Sequence, residues 1–95
     1  MIWIDGERSG HNYIMYRFDE LKRDLSVNHE VEFVYKKFEC FIVPTNLGWE
    51  LWVNNERVYR EPVLEVFLMT PCLEGESIFD IFDNALYDEK YLIIL

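Results

Sequence analysis

Two histidines are the side chains of this sequence best suited to proton transfer, and one of them stands beside a carboxylate. His29 precedes Glu30 at a predicted helix-to-strand junction, where a general base can sit. The alternative is an ordinary surface or turn histidine. A zinc site would need four residues from separate segments to converge: His11, His29, Cys40 and Cys72. The sequence has no nucleophile elbow, phosphate-binding loop, H-E-x-x-H or glycine-rich nucleotide motif, so it predicts no catalysis and no cofactor.

Residues 73–91, LEGESIFDIFDNALYDEKY, are rich in acid and contain one lysine. Their acidic residues, here called the acidic run, are Glu74, Glu76, Asp80, Asp83, Asp88 and Glu89. The spacing is not that of a calcium-binding loop, which also needs a terminal bidentate Glu. On a helix, Glu76, Asp80 and Asp83 stand at i, i+4 and i+7, about 5–6 Å apart in succession. This lies between the phosphate repeat of about 3.4 Å along one nucleic-acid strand and the spacing of every second phosphate. The acidic run is either a solvated helix face or a docking surface for a basic protein partner.

The formal net charge of −9 is concentrated towards one end of the chain. Residues 1–60 carry ten acids and eight bases, whereas residues 61–95 carry eight acids and only Lys90. This balance opposes direct binding to nucleic acid or to an anionic membrane and favours a cationic partner. No run reaches the length of about 18 apolar residues that a membrane span needs, and the first residues do not resemble a signal peptide. A cytoplasmic protein is the expectation.

Length and composition predict one folded domain over residues 1–95. Hydrophobic residues make up 51% of the chain and aromatic residues 17%, which is typical of a globular protein and not of a disordered acidic tail. Cys40 and Cys72 are far apart and form no C-x-x-C pair, which predicts two buried, reduced thiols.

The hydrophobic pattern predicts an α+β fold with an N-terminal helix, an antiparallel four-stranded meander and two C-terminal helices. A helix over about residues 12–26 is indicated by apolar residues at i, i+4, i+7 and i+11: Ile14, Phe18, Leu21 and Leu25. From residue 30 the period becomes two, and in EVEFVYK one face is formed by Val31, Phe33 and Tyr35. Three β-rich runs follow within residues 30–61: KFECFIVPT, GWELWVN and RVYRE. Their short connections predict antiparallel neighbours.

Two helices are predicted after the sheet, near residues 62–70 and 77–86. Pro62 fits the first turn of the earlier one, and VLEVFLMT is apolar on nearly every side, so this helix is expected to be covered on several sides. Ser77 and Asp80 form a capping pair that opens the later helix. Its predicted solvent side carries Glu76, Asp80, Asp83 and Tyr87. The predicted core includes Phe18, Leu21, Leu25, Phe33, Leu51, Phe67, Ile78 and Phe82.

Aromatic residues are predicted on both faces of the sheet. Trp49 and Trp52 point to opposite sides of one strand, so one enters the core and Trp52 is a candidate anchor for a partner. Val34 and Phe41 also point away from the predicted core. Either the first helix covers one side and the C-terminal helices cover the other, or an uncovered patch binds a partner or a second copy. The C-terminal YLIIL is expected to join a sheet edge, pack on the core or be buried in a dimer.

The order of the elements, with the phrases FDELKRDLSVNHEVEFVYKKF and GWELW, resembles that of small uncharacterised acidic proteins of Gram-positive bacteria and their phages. The resemblance covers about residues 18–83, implies the α+β layout and carries over no functional residue. Small acidic phage proteins include inhibitors of nucleic-acid enzymes such as anti-CRISPR proteins, which is an analogy at the level of composition. The expected function is a non-enzymatic interaction module, an inhibitor or regulator that docks on a basic partner such as a nucleic-acid enzyme. The alternative is a homodimeric structural or housekeeping module.

Overall fold

The fold is α+β and is built on one antiparallel sheet. The computed structural model describes residues 2–4 and 16–95. Its strands are β1 (Ile2–Ile4), β2 (Val31–Tyr35), β3 (Phe38–Thr45), β4 (Gly48–Val53), β5 (Glu56–Glu61) and β6 (Leu92–Ile94). Its helices are α1 (Phe18–Ser26), α2 (Leu64–Met69) and α3 (Ile78–Asp83), with a 3₁₀ helix at Glu89–Tyr91. The strand order across the sheet is β1-β6-β2-β3-β4-β5.

The predicted four-stranded meander is confirmed as β2 to β5, which pair in sequence order and antiparallel. Asn54 and Asn55 connect β4 to β5 with φ angles of 50° and 70°, the positive values that a two-residue type I′ hairpin turn requires. Gly48 opens β4 with φ 119°, and a Cβ atom there would lie 2.4 Å from the carbonyl oxygen of Glu61. Glycine therefore allows the end of β5 to pass close to the start of β4.

The apolar C-terminus joins the sheet. β6 pairs antiparallel with β2, through Val31 and Ile94, and with β1 on its other side. Leu92 and Ile94 are buried. The segment therefore combines two of the three alternatives expected for it, because it pairs with the sheet and also packs on the core. The sequence did not predict β1, and it gave β6 only as one of the three alternatives for YLIIL, because three-residue segments are too short to show a period.

Helix α1 starts later than predicted. Tyr16 and Arg17 precede it in non-helical conformation, and residues 12–15 of the predicted helix, with Ile14, lie outside the described residues. Phe18 is half-buried and not a core residue, because at the helix start its ring packs edge to face on Phe79, with centroids 4.8 Å apart, beside the main cluster.

Helix α2 is covered on one side only, so the expectation that it would be covered on several sides is wrong. Phe67 and Leu68 are buried, whereas Val63, Val66 and Met69 are exposed. Pro62 lies outside the helix, which begins after Val63. The reason is length, since six residues present only one narrow stripe to the sheet and to α3.

Helix α3 opens with the predicted capping pair but ends at Asp83 and not near residue 86. Ala85 has φ 52°, which turns the chain away from the helix axis. Leu86, which would continue the apolar stripe of Ile78 and Phe82 if the helix went on, is therefore exposed, and Tyr87, predicted on the solvent side, is buried. Both placements had been extrapolated along a helix that does not continue.

The core lies between the helices and one face of the sheet. Seven of the eight predicted core residues are buried in a single cluster: Leu21, Leu25, Phe33, Leu51, Phe67, Ile78 and Phe82. Buried residues of all three helices belong to this cluster, so the arrangement with α1 on one side of the sheet and the C-terminal helices on the other is wrong. Within the described ranges, no helix has the length and apolar character needed to cross a membrane.

Candidate partner-binding surface

The face of the sheet opposite the core is here called the open face. Because side chains alternate along a strand, it is formed by the residues that alternate with the core-facing ones: Glu32, Val34, Glu39, Phe41, Val43, Glu50, Trp52 and Ile93, with Arg60 and Arg57 opposite Glu50 and Trp52 on β5. None of them belongs to the core cluster. The five apolar members are half-buried, and of the described helices only the 3₁₀ helix borders this face in a groove, through Tyr91.

The strand register fixes which side chains are neighbours on the open face. Ile93 pairs with Glu32, Glu32 with Phe41, and Phe41 with Trp52, which gives a row that crosses four strands. In the next row Val34 pairs with Glu39. Glu32 and Glu39 therefore stand diagonally across the β2–β3 pair, with Phe41 and Val34 on the other diagonal. Acidic and apolar side chains alternate on this part of the sheet.

Trp52 is held in place by a charged cluster. Its Nε1 donates a hydrogen bond of 2.9 Å to Oε1 of Glu50. Oε2 of Glu50 lies 3.4 Å from Nη1 of Arg60 and 3.5 Å from Nη1 of Arg57. The tryptophan hydrogen bond, followed by the two arginines, lowers the pKa of the Glu50 carboxyl. Trp52 is thus an oriented aromatic ring on the open face, whereas Trp49 packs against the core and donates to the Leu25 carbonyl, as the alternation predicted.

Glu32 and Glu39 differ from Glu50 because no cation among the described residues forms an ion pair with them. In the part of the chain that the structure describes, neither carboxylate has an ion-pair partner. Both residues line two adjacent grooves. One groove is completed by Cys40, Phe41, Trp52 and Asn55, the other by Phe33, Val34, Lys37, Cys40, Tyr91 and Ile93.

The acidic run forms no continuous helical stripe. Glu76 lies before α3, where its backbone N–H donates to the Leu73 carbonyl in a tight turn. Asp80 is half-buried, and its Oδ2 accepts hydrogen bonds from the Ser77 N–H at 3.1 Å and the Ser77 hydroxyl at 2.9 Å. The expectation that Asp80 is a free surface carboxylate is therefore wrong. Only Asp83 extends from the helix without such a contact among the described residues, and it is exposed.

The other members of the acidic run lie at different places. Glu74 pairs with Lys36 at 3.7 Å, at the β2–β3 turn. Asp88 caps the 3₁₀ helix, where its Oδ1 accepts from the Lys90 N–H at 3.0 Å, and its own N–H donates to the Val34 carbonyl at 2.7 Å. Glu89 lies in that 3₁₀ helix, half-buried. Asp88 thus lies beside β2, and Glu89 belongs to the 3₁₀ helix whose Tyr91 lines a groove of the open face, whereas Asp80 and Asp83 lie on α3.

The candidate proton-transfer groups lie apart from the open face. His29 has its Nδ1 3.5 Å from Oδ1 of Asp24, so its acidic neighbour is Asp24 and not the predicted Glu30. The other Asp24 oxygen accepts a hydrogen bond from the Tyr16 hydroxyl. Burial, and then that hydrogen bond, raise the pKa of Tyr16 far above its usual range. His29 borders neither groove of the open face, and His11 lies outside the described residues.

The cysteines have the environment of inert thiols. Cys40 is buried and Cys72 is half-buried, and both are free. Burial raises the pKa of Cys40 to about 12 and that of Cys72 to about 11, so both remain protonated near neutral pH. Among the described residues, no group of three His, Cys, Asp or Glu side chains converges as metal ligands would.

No protein-family model, curated protein or solved structure matches this chain. The open face is thus defined by geometry alone. Of its members, the sequence had singled out Trp52 as an anchor and Val34 and Phe41 as outward-facing. The sequence analysis did not identify Glu32 and Glu39 as a pair. The signal was available, because the two-residue turn Lys36-Lys37 fixes the β2–β3 register and so places these two acids as diagonal neighbours.

Proposed function

We propose that this chain is a small non-catalytic interaction module, an inhibitor or regulator that binds a basic protein partner through its open face. One observation carries the proposal: a sheet face outside the core holds oriented and half-buried apolar side chains beside two carboxylates with no ion-pair partner among the described residues. Half-buried aromatic residues of this kind supply contact energy when a partner removes them from water.

The charge of the chain supports a cationic partner. A net charge of −9 repels nucleic acid and attracts a basic groove, including one that otherwise holds nucleic acid. On the open face the arginines are already engaged with Glu50, which leaves Glu32 and Glu39 to face the partner. The acidic run adds to the long-range field, and two of its members, Asp88 and Glu89, belong to the 3₁₀ segment whose Tyr91 borders this face.

The test is binding of a purified partner, after its capture from a lysate of the source organism and identification. Trp52→Ala is expected to weaken binding about 30-fold, the value for an interface residue worth about 2 kcal/mol. Phe41→Ala, on the same face but outside the Glu50 cluster, serves as the second variant. Val66→Ala is the matched control, because Val66 is an exposed apolar residue of α2 that lies on the helical side.

Melting curves of each variant separate lost contacts from lost folding. Binding that falls for Trp52→Ala and Phe41→Ala but not for Val66→Ala supports the open face. Equal binding by all three variants, or capture of no basic partner by the wild type, contradicts the proposal.

A homodimeric module is the second candidate, and the exposed apolar side of α2 favours it. Val63, Val66 and Met69 are all about half exposed, at spacings of three residues along one side. Continuation of the sheet through β5, the last strand of the described sheet, does not serve such a dimer. In the full-length antiparallel register, Arg57 of one copy faces Arg60 of the other and Glu56 faces Glu61, and like charges directly opposite are destabilising.

Light scattering of the full chain tests the dimer. A dimer that Val66→Lys converts to monomer places the contact on α2 and supports the structural module. A wild-type monomer at all concentrations contradicts it.

A further inference from the structure

The two grooves of the open face meet at a shared pair of carboxylates. Glu32 and Glu39 line both of them, with Phe41 and Trp52 on one side and Val34, Lys37, Tyr91 and Ile93 on the other. A ligand that lies across both grooves must therefore pass over these two acids. Its central group meets negative charge, and its flanking groups meet aromatic and aliphatic surface.

The spacing of this pair suits a planar cation. Glu32 pairs with Phe41, and Val34 pairs with Glu39, so the two acids are diagonal neighbours. Diagonal neighbours of an antiparallel sheet have their Cβ atoms up to about 7–8 Å apart. A guanidinium placed between two such side chains can donate to both carboxylates, because it carries five N–H donors in a planar fork. An ammonium is a point charge with a tighter hydration shell, and it stacks less well on the neighbouring Phe41 ring.

We propose that the open face binds a partner segment with a central arginine and apolar neighbours, the guanidinium lying between Glu32 and Glu39 and the neighbours entering the two grooves. This inference rests on the proposed function and names the chemistry of the partner. Charge complementarity carries it. Of the nearby cations, Lys36 pairs with Glu74 and Arg57 pairs with Glu50. Lys37 lines the groove of Val34 and Tyr91, but its Nζ lies 5.8 Å from the Phe38 ring centroid and within the described residues it forms no ion pair with either acid.

A second copy of the chain does not fit this site. Each copy carries a net charge of −9, and the arginines of its own open face are held by Glu50. Nucleic acid has the wrong sign. A basic protein segment is the occupant that satisfies both the carboxylates and the grooves.

The experiment uses the full chain and three capped tripeptides, Leu-Arg-Trp, Leu-Lys-Trp and Leu-citrulline-Trp, with amide chemical shifts followed by NMR. Citrulline keeps the shape of arginine without its charge. The arginine peptide is expected to shift the amide signals of residues 32, 39, 41 and 52. The lysine peptide is expected to bind more weakly, and the citrulline peptide is expected to bind with an affinity about tenfold or more below that of the arginine peptide.

Variants of the chain complete the test. The double variant Glu32→Gln/Glu39→Gln is expected to bind the arginine peptide with an affinity about tenfold or more below that of the wild type. Glu56→Gln is the control for a single charge change, because Glu56 is exposed on β5 and pairs with the core-facing Val53. Equal binding of the arginine and citrulline peptides overturns the inference. So does an unchanged affinity of the double variant, or the absence of shifts at the open face.

Failure of this inference and failure of the proposed function give different results. A captured partner that is sensitive to Trp52→Ala but indifferent to the Glu32 and Glu39 changes leaves the proposed function standing and rejects the arginine site. Peptide binding at the acids, with no partner bound through the open face, supports the arginine site and rejects the proposed function.

Discussion

Replacing Asp80 by alanine is expected to destabilise the fold, whereas the same change at Asp83 is not. Oδ2 of Asp80 accepts hydrogen bonds from the N–H and the hydroxyl of Ser77, and the Asp80 N–H donates back to the Ser77 hydroxyl at 3.0 Å. Ser77 is only 3% exposed, so water cannot readily replace the lost carboxylate. Leaving a buried donor unsatisfied costs about 1–3 kcal/mol.

The expected net loss is somewhat smaller. Alanine is a better helix former than aspartate by up to about 0.7 kcal/mol, which offsets part of the cost. We therefore expect the free energy of unfolding to fall by about 1–2 kcal/mol, which corresponds to a melting temperature about 4–16 °C lower for a domain of this size. Asp83 is exposed at the C-terminal end of α3, where a negative charge opposes the helix dipole. Asp83→Ala is expected to be neutral or to stabilise by a few tenths of a kcal/mol.

Thermal and urea unfolding followed by circular dichroism measures both changes, and both variants lose the same formal charge. Ser77→Ala, alone and combined with Asp80→Ala, gives the coupling energy of the pair, expected to be at least about 0.5 kcal/mol for residues in direct contact. If Asp80→Ala and Asp83→Ala unfold at the same midpoint, or if the Ser77 and Asp80 effects simply add, the capping pair does not form in solution.

Four further predictions concern the core, a turn, pH and association. Phe82→Ala should lower the free energy of unfolding by about 3–5 kcal/mol, because the ring is fully buried; urea unfolding measures this, and an unchanged midpoint would show that the face of α3 is misassigned. Gly48→Ala should cost about 1–3 kcal/mol for its backbone angle alone, and a variant as stable as the wild type would contradict the close approach at this turn. The lowered pKa of Glu50 stabilises the fold fully above the unfolded carboxyl pKa of about 4.3, and this stabilisation is lost as the pH falls towards the lower folded value. The stability difference between wild type and Glu50→Gln should therefore shrink below that pH, and a constant difference would refute the shift. Asp83→Lys with Glu89→Lys should slow association with a basic partner at low salt and leave dissociation nearly unchanged, whereas a large rise in the dissociation rate would place these acids in the contact itself.

The meander was predictable from the sequence because period and turn chemistry agree there. In EVEFVYK the alternation places Val31, Phe33 and Tyr35 on one face, and all three are buried. The Asn-Asn pair after β4 tolerates the positive φ angles of a tight turn, so the next strand had to return antiparallel. The same alternation separated Trp49 from Trp52.

The end of α3 was not predictable in the same way. A glycine or asparagine in left-handed conformation marks a helix end, but here the residue with φ 52° is Ala85, which carries no such signal. The periodic pattern continued through Leu86 and Tyr87 although the helix had stopped. The packing of all three helices on one side of the sheet was also not predictable. The apolar stripe of a helix indicates which of its sides is buried, but not which face of the sheet that side contacts.

Acidic residues that look alike in the sequence have different roles in the fold. Glu50 is neutralised by two arginines and orients Trp52, Asp80 and Asp88 cap helices, and Asp24 accepts from Tyr16. A carboxylate that already accepts hydrogen bonds within the fold must break them before it can bind a partner, and this cost weakens the new contact. Density of acid along the chain is therefore a poor guide to where a basic partner binds. The carboxylates that lose least on binding are those with apolar neighbours and no ion-pair partner among the described residues, and this condition directs the search to Glu32 and Glu39 on the sheet, away from the denser acidic run.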